Sequence, residues 1–252
     1  MRLTVLALRP DAQGMTDQPC PKVQNESLHR AATQFRRIAG DQPAYDDWTG
    51  ICAYYAENAA IRQSGKPVDV VFIGDSITQH WAHFDPALFD GARLNRGITS
   101  QSAAQILARF PSDVVALKPR VVHIIAGTND VVGTSGPSSP QAWRDAMTAM
   151  VDLARANGIA VIVGTLPPMA VNPFDDDHRP VPIIAEQNRW LAQLAQEKGL
   201  VLADYHAALS MPQGGFKPGL AYDALHPDGR GYAAMRPVLD AALARVKAAP
   251  AK

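Results

Sequence analysis

From residue 68 to the carboxyl terminus, short apolar runs alternate with amphipathic stretches. The first run, Val68-Asp69-Val70-Val71-Phe72-Ile73, is rich in β-branched residues and stops at Gly74-Asp75-Ser76. A run of that length and composition predicts a buried strand, and the glycine with small polar residues predicts a turn at its carboxyl end. Similar runs predict strands over residues 92–95, 120–125, 159–165 and 200–204. Between them the spacing becomes helical. Residues 102–117 form one such stretch. Ser139 caps another, with Pro140 in its first turn; Trp143, Met147, Met150, Val151 and Ala154 share one face, and Asn157-Gly158 closes it. Ile184, Leu191, Leu194 and Ala195 mark a third helix, ended by Gly199, and Asp228 opens a last one that reaches about residue 247. This alternation is the pattern of a doubly wound parallel sheet.

Ahead of residue 67 the pattern is helical only. Leu28, Ala31, Phe35 and Ile38 fall on one face, and Trp48, Ile51, Tyr55 and Ala59 on a second, with Gly40-Asp41-Gln42-Pro43 between them. Residues 1–66 are therefore expected to form a helical extension whose apolar faces pack on the body, residues 67–252, or on a neighbouring subunit. The chain has two cysteines, Cys20 and Cys52. Cys52 reads first as a small apolar residue on the face of Trp48, Ile51 and Tyr55, and second as the partner of Cys20 in a disulfide.

Charge narrows the function. The 24 basic and 24 acidic residues cancel, and no dense basic block is present, so nucleic acid is not an expected partner. No apolar run approaches the roughly 18 residues of a membrane span. The apolar run from Met1 to Leu8 is shorter than the core of a signal peptide, and none is read there. A periplasmic or secreted location is nevertheless favoured over a cytoplasmic one, and the oligomeric state stays open.

The candidate chemistry lies at strand ends. Ser76 follows the first strand, where an open α/β sheet places its ligands. A serine hydroxyl needs an adjacent base, and His226 is the candidate, with Asp223 three residues earlier to orient the imidazole and stabilise its charged form. Gly74-Asp75-Ser76, Asn95-Arg96-Gly97-Ile98, Gly127-Thr128-Asn129-Asp130 and Asp223-Ala224-Leu225-His226-Pro227 follow one another in this order. Together they resemble the SGNH hydrolases, also called the GDSL esterase/lipase family, over about residues 67–248.

The resemblance implies a flavodoxin-like three-layer α/β/α sandwich with a central parallel sheet. It also implies a serine esterase in which Ser76, His226 and Asp223 form the triad. The backbone amides of Ser76 and Gly97 and the side-chain amide of Asn129 would form the oxyanion hole. No cofactor and no metal are implied. The expected substrates are short acyl esters, acetyl esters of carbohydrates first, with lysophospholipids and thioesters as alternatives. An acyltransferase on the same triad and a non-catalytic carbohydrate-binding protein are the readings from other classes. Asp175-Asp176-Asp177-His178, between Pro173 and Pro180, reads as an exposed connection rather than a metal site. His123, inside an apolar strand, reads as a hydrogen-bonded core histidine. Trp81, Ile98 and Pro168 read as pocket lining or as ordinary packing.

Overall fold

The computed structural model describes Cys20, residues 47–136 and residues 138–246. The helical face of Leu28 to Ile38 lies outside the described residues. The described elements are α1 (Tyr55–Ser64), β1 (Val70–Gly74), α2 (Ser76–Phe84), β2 (Arg93–Gly97), α3 (Ala103–Asp113), β3 (Val121–Ile125), α4 (Thr128–Val132), α5 (Pro140–Ala156), β4 (Ala160–Gly164), α6 (Pro180–Lys198), β5 (Val201–Ala203), α7 (Tyr205–Leu209) and α8 (Gly229–Arg245). All five expected strands form, within one or two residues of the bounds read from the sequence.

The strands pair in parallel in the order β2-β1-β3-β4-β5. Their side chains alternate between two apolar layers, which is why the runs are apolar on both faces. Val71, Ile73, Val122, Ile124, Val161 and Val163 face a layer that includes Ile106 and Phe110 of α3, Met147 and Met150 of α5, and Leu191 of α6. Val70, Phe72, Val121, Ile125 and Ile162 face the other, with Ile77 and Trp81 of α2, Leu209 of α7, and Tyr232, Met235 and Leu239 of α8. This is the three-layer α/β/α sandwich. Trp81 is fully buried within it and Pro168 is buried too, so both serve packing.

The order reverses at β1: the chain crosses from β1 to β2 on one side, then returns to β3 on the other. A crevice opens at that reversal beyond the carboxyl ends of the strands. Gly74 and Gly97 are paired there, Gly74 beside Ile125 as well. Neither tolerates a side chain. A Cβ on Gly74 would lie 2.2 Å from the Ile125 carbonyl oxygen, and one on Gly97 would lie 2.2 Å from the Gln79 backbone nitrogen.

The segment before β1 differs from the expected continuous helical face. Gly50 adopts a left-handed φ of 71°, and the Asp47 carboxylate accepts from the backbone N–H groups of Ile51 and Cys52 at 3.0 and 2.8 Å. These interactions favour a turn, so a short 3-10 turn at Ile51–Ala53 precedes α1. Trp48 is left 58% exposed instead of packed. Cys52 is half-buried and bonded to Cys20, so the second reading of the two cysteines holds and the first does not.

What ties this segment to the body is largely polar. Tyr54 donates to the Gly97 carbonyl at 2.6 Å, and Gln101 and Gln105 donate to the carbonyls of Thr49 and Trp48, each at 2.7 Å. Arg96, buried at the end of β2, donates to Asn58 and Glu57 of α1 at 2.9 and 3.0 Å. No helix among the described residues is long and apolar enough to cross a membrane.

Candidate active site

Ser76 is the first residue of α2, and Asp75 caps the helix by accepting from the Ile77 amide at 2.9 Å. The strand therefore passes directly into a helix, with no intervening loop. The Ser76 amide, at the first helical position, has no intrahelical acceptor, and the positive end of the helix dipole lies beside the hydroxyl. Arg109 braces the turn from behind. It donates to the Gly74 carbonyl at 3.0 Å, to Gln101 at 2.6 Å and to Asp113 at 2.8 Å, and both charged partners are fully buried.

The loop before α8 meets this helix. Ser76 Oγ lies 2.9 Å from His226 Nε2, and His226 Nδ1 lies 2.8 Å from Asp223 Oδ2. The other carboxylate oxygen, Asp223 Oδ1, accepts from the amides of Leu225 and His226 at 2.7 Å each. Partial burial pushes the Asp223 carboxyl up, but hydrogen bonds from the His226 ring and from these two amides outweigh it and hold it below its usual range. A charged Asp223 fixes the proton on His226 Nδ1 and leaves Nε2 free to accept from Ser76. Such an array can remove the serine proton during attack on a carbonyl carbon.

Asn129 follows β3 in the first turn of α4, as its position in the sequence implied. Its Oδ1 accepts from Thr134 at 2.9 Å and its Nδ2 donates to the Gln101 carbonyl at 3.0 Å. That fixes the amide plane and uses one of two N–H groups, so the second is available to an oxyanion. Gly97 stands differently. Its amide donates to Asn95 Oδ1 at 2.9 Å, and Asn95 Nδ2 in turn donates to the Thr78 carbonyl at 2.6 Å. An incoming oxyanion would have to displace Asn95 to use the Gly97 amide.

Several groups around the site were not singled out by sequence reasoning. Asp75 is fully buried; burial, opposed by the Ile77 amide, pushes its carboxyl up to about 7. Asp130 accepts from the Ala103 amide at 2.8 Å and so joins the β3 turn to α3, and burial raises its pKa as well. His80 and Tyr222 flank His226, with ring centroids 5.3 and 5.5 Å away. Sequence position held a signal for both: His80 lies one helical turn after Ser76, and Tyr222 directly precedes Asp223. His123 is the expected core histidine, bonded through Nε2 to the Tyr205 hydroxyl at 2.7 Å. Burial drives its pKa down to about 3, so it is neutral.

A parallel α/β/α sandwich with a serine–histidine–aspartate array at the strand-order reversal points to the hydrolases of this architecture. The GDSL-like lipase/acylhydrolase family matches residues 72–234, and the chain belongs to that family. It is a carboxylic ester hydrolase. A provisionally assigned acylhydrolase from Bacteroides fragilis NCTC 9343 is 32% identical, with a TM-score of 0.74 over 80% of this chain and 99% of that one. A GDSL-like lipase from Bacteroides thetaiotaomicron VPI-5482 is 30% identical, with a TM-score of 0.74 over 79% of this chain and 99% of that one. A catalytic mutant of an acetylxylan esterase from Geobacillus stearothermophilus shares the fold at 19% identity, with a TM-score of 0.56 over 75% of this chain and 99% of that one. No curated protein matches the chain.

Proposed function

We propose that the protein hydrolyses short acyl esters, acetyl esters of carbohydrates first, through an acyl-enzyme on Ser76. The observation that carries the serine mechanism is the unbroken chain Ser76–His226–Asp223, with contacts of 2.9 and 2.8 Å. Ser76 Oγ attacks the ester carbonyl while His226 Nε2 takes its proton. The tetrahedral oxyanion is held by the Ser76 amide and Asn129 Nδ2, and by the Gly97 amide once Asn95 releases it. The oxyanion collapses, the C–O bond breaks, and His226 returns the proton to the departing alcohol. Water then repeats the sequence on the acyl-enzyme, with His226 as base, and releases the acid and free Ser76.

The acyl-size part rests on the connection between β4 and α6. It carries exposed Asp175, Asp176, Asp177 and Arg179, which are costly to desolvate against a lipid tail. Val171 and Phe174 are also exposed there, so the connection is not uniformly polar. The acetylxylan esterase of the same fold supports acetylated carbohydrate as the first substrate to try. The test is kcat/KM for acetyl and octanoyl esters of one leaving group, with acetate release from acetylated xylan. A preference for octanoyl overturns the short-chain reading. Acetyl-ester activity with no release from any acetylated sugar removes the carbohydrate part alone.

The Cys20–Cys52 disulfide supports an oxidising, periplasmic or extracellular compartment. We assign residues 1–66 to a structural extension and residues 67–252 to the hydrolase domain, because the described part of the extension makes structural contacts and supplies none of the proposed catalytic groups.

A further inference from the structure

The base and the acid of the array sit on a loop, not on the sheet. Asp223 and His226 have side chains 43% and 18% exposed, and the loop must hold an imidazole within hydrogen-bond reach of a helix that belongs to another part of the chain. Two side chains outside the triad close that gap. The Tyr222 ring lies parallel to the His226 imidazole, 5.5 Å between centroids and 5° between planes. The Tyr222 hydroxyl lies 3.0 Å from His80 Nδ1. His80 sits on α2, one turn after Ser76 and on the same helical face. The Tyr222 amide also donates to the His226 carbonyl at 3.2 Å. Ser76, His226, Tyr222 and His80 thus form a closed circuit of contacts, with the first turns of α2 as its fourth side.

We propose that Tyr222 and His80 are positioning residues: Tyr222 stacks on the face of His226 and, tethered through its hydroxyl to His80, fixes the imidazole toward Ser76. The inference rests on the triad reading above. A stacked ring resists rotation of the imidazole out of the plane that serves both Ser76 and Asp223, and the tether stops the stacking ring from swinging into solvent. Protonation agrees with this geometry. Burial, and after it the neighbouring His226, hold His80 below the usual histidine range, which favours the neutral ring, whose Nε2–H tautomer presents Nδ1 as an acceptor. Burial, and after it Asp223, push the Tyr222 hydroxyl up to about 12, so it keeps the proton it donates.

The experiment reads the reactivity of Ser76 without a sugar or a leaving alcohol to bind. The second-order rate of labelling by a small fluorophosphonate is measured for the wild type, Ser76→Ala, Tyr222→Leu, Tyr222→Phe, His80→Ala, His80→Asn and the double variant Tyr222→Phe/His80→Ala, with melting temperatures alongside. The wild type reacts and Ser76→Ala does not. Tyr222→Leu, which removes ring and tether, slows labelling by about tenfold. Tyr222→Phe and His80→Ala each slow it by about threefold, and the double variant is no slower than His80→Ala alone, because the tether is already lost there. His80→Asn, which keeps an acceptor at the δ position, restores the wild-type rate. Melting temperatures stay within a degree or two, since Tyr222 is 51% exposed.

Labelling of Tyr222→Leu at the wild-type rate overturns the clamp and leaves the triad standing. Additive losses in the double variant overturn the tether. A wild type that does not label at Ser76 overturns the triad, and the clamp falls with it.

Discussion

Asn58 and Arg96 are 38 residues apart in the chain and 2.9 Å apart in space: the Arg96 Nε–H donates to Asn58 Oδ1. Asn58 also donates through Nδ2 to Asp113 at 2.7 Å, so one buried amide serves a cation at the end of β2 and an anion at the end of α3. Arg96 is 1% exposed, and its guanidinium lies 4.6 Å from the Tyr54 ring centroid. The segment before β1 thus completes the shell behind the Gly97 turn.

Replacing Asn58 by leucine leaves both buried charged groups short of a partner. The expected cost is about 2 to 3 kcal/mol, because a charged group that loses a hydrogen bond in the interior keeps its desolvation penalty. In a domain of this size that lowers the melting temperature by roughly 5 to 10 °C. A melting curve superimposable on the wild type would show that α1 does not stabilise the body through Arg96.

The proposed catalytic roles predict a graded series. Ser76→Ala is expected to lower kcat by about 10⁶, leaving the residual rate of binding and oxyanion stabilisation alone. Asp223→Ala is expected to cost less, about 10² to 10⁴, since the carboxylate orients the base and is itself partly exposed to water that can take its place. Asn129→Ala should cost about 10² to 10³ in kcat with little change in KM, as befits a donor used chiefly in the transition state. Steady-state kinetics on one acetyl ester checks the order. Asn129→Ala with wild-type kcat would remove that residue from the oxyanion hole.

Much of this was legible in the sequence because the relevant signals are local. The first four strands are five residues long and β5 three, each a short run that ends at a turn, and the α5 stripe of Trp143, Met147, Met150 and Ala154 repeats at helical spacing. Ser76, Asn129, Asp223 and His226 could be singled out as candidates because each sits at a fixed place next to such an element. Trp48 was misplaced because Gly50 and the Asp47 carboxylate redirect the chain just before α1, and side-chain-to-backbone bonds leave no periodic trace. The bracing of Gly74 by Arg109, the bond from Asn95 to the Thr78 carbonyl and the tether of Tyr222 to His80 are contacts across elements. No spacing rule in one chain specifies them.

The disulfide supplies a prediction about the extension. Linking Cys20 to Cys52, at a separation of 32, restricts the unfolded chain by about 3 to 4 kcal/mol in the loop-entropy account. Reduction is therefore expected to lower the melting temperature, while Ser76, His226 and Asp223, which lie in other elements, keep their geometry. The check is calorimetry with and without reductant, paired with esterase rates at a temperature well below both transitions. An unchanged melting temperature would mean that the bond closes a segment that does not fold with the body.

Asp75 makes its own contribution to the pH dependence of stability. Its Oδ1 is committed to the Ile77 amide, Oδ2 is buried without a hydrogen-bond partner among the described residues, and burial lifts the carboxyl from 3.8 to about 7. A raised acid pKa means that the folded state holds a proton the unfolded state has already released between those two values. Asp75 therefore supports the fold fully below about pH 4, and that support is lost as pH rises toward and through about 7; at most about 4 kcal/mol is involved. Asp130, raised by burial, acts in the same sense; His123 and His80, lowered by burial, act in the opposite sense over the same range, and Asp223 and Asp228, whose pKa values are lowered, do so at acid pH, so the wild-type profile alone does not isolate Asp75. Asp75→Asn does. Its amide oxygen can still accept from Ile77, its shape is preserved, and it cannot ionise. The variant is expected to melt close to the wild type at pH 4 and to gain on it steadily up to pH 8. A melting-temperature difference that stays constant from pH 4 to pH 8 would mean that Asp75 is not held protonated by burial, and that Oδ2 has a charged or hydrogen-bonded neighbour stabilising the carboxylate.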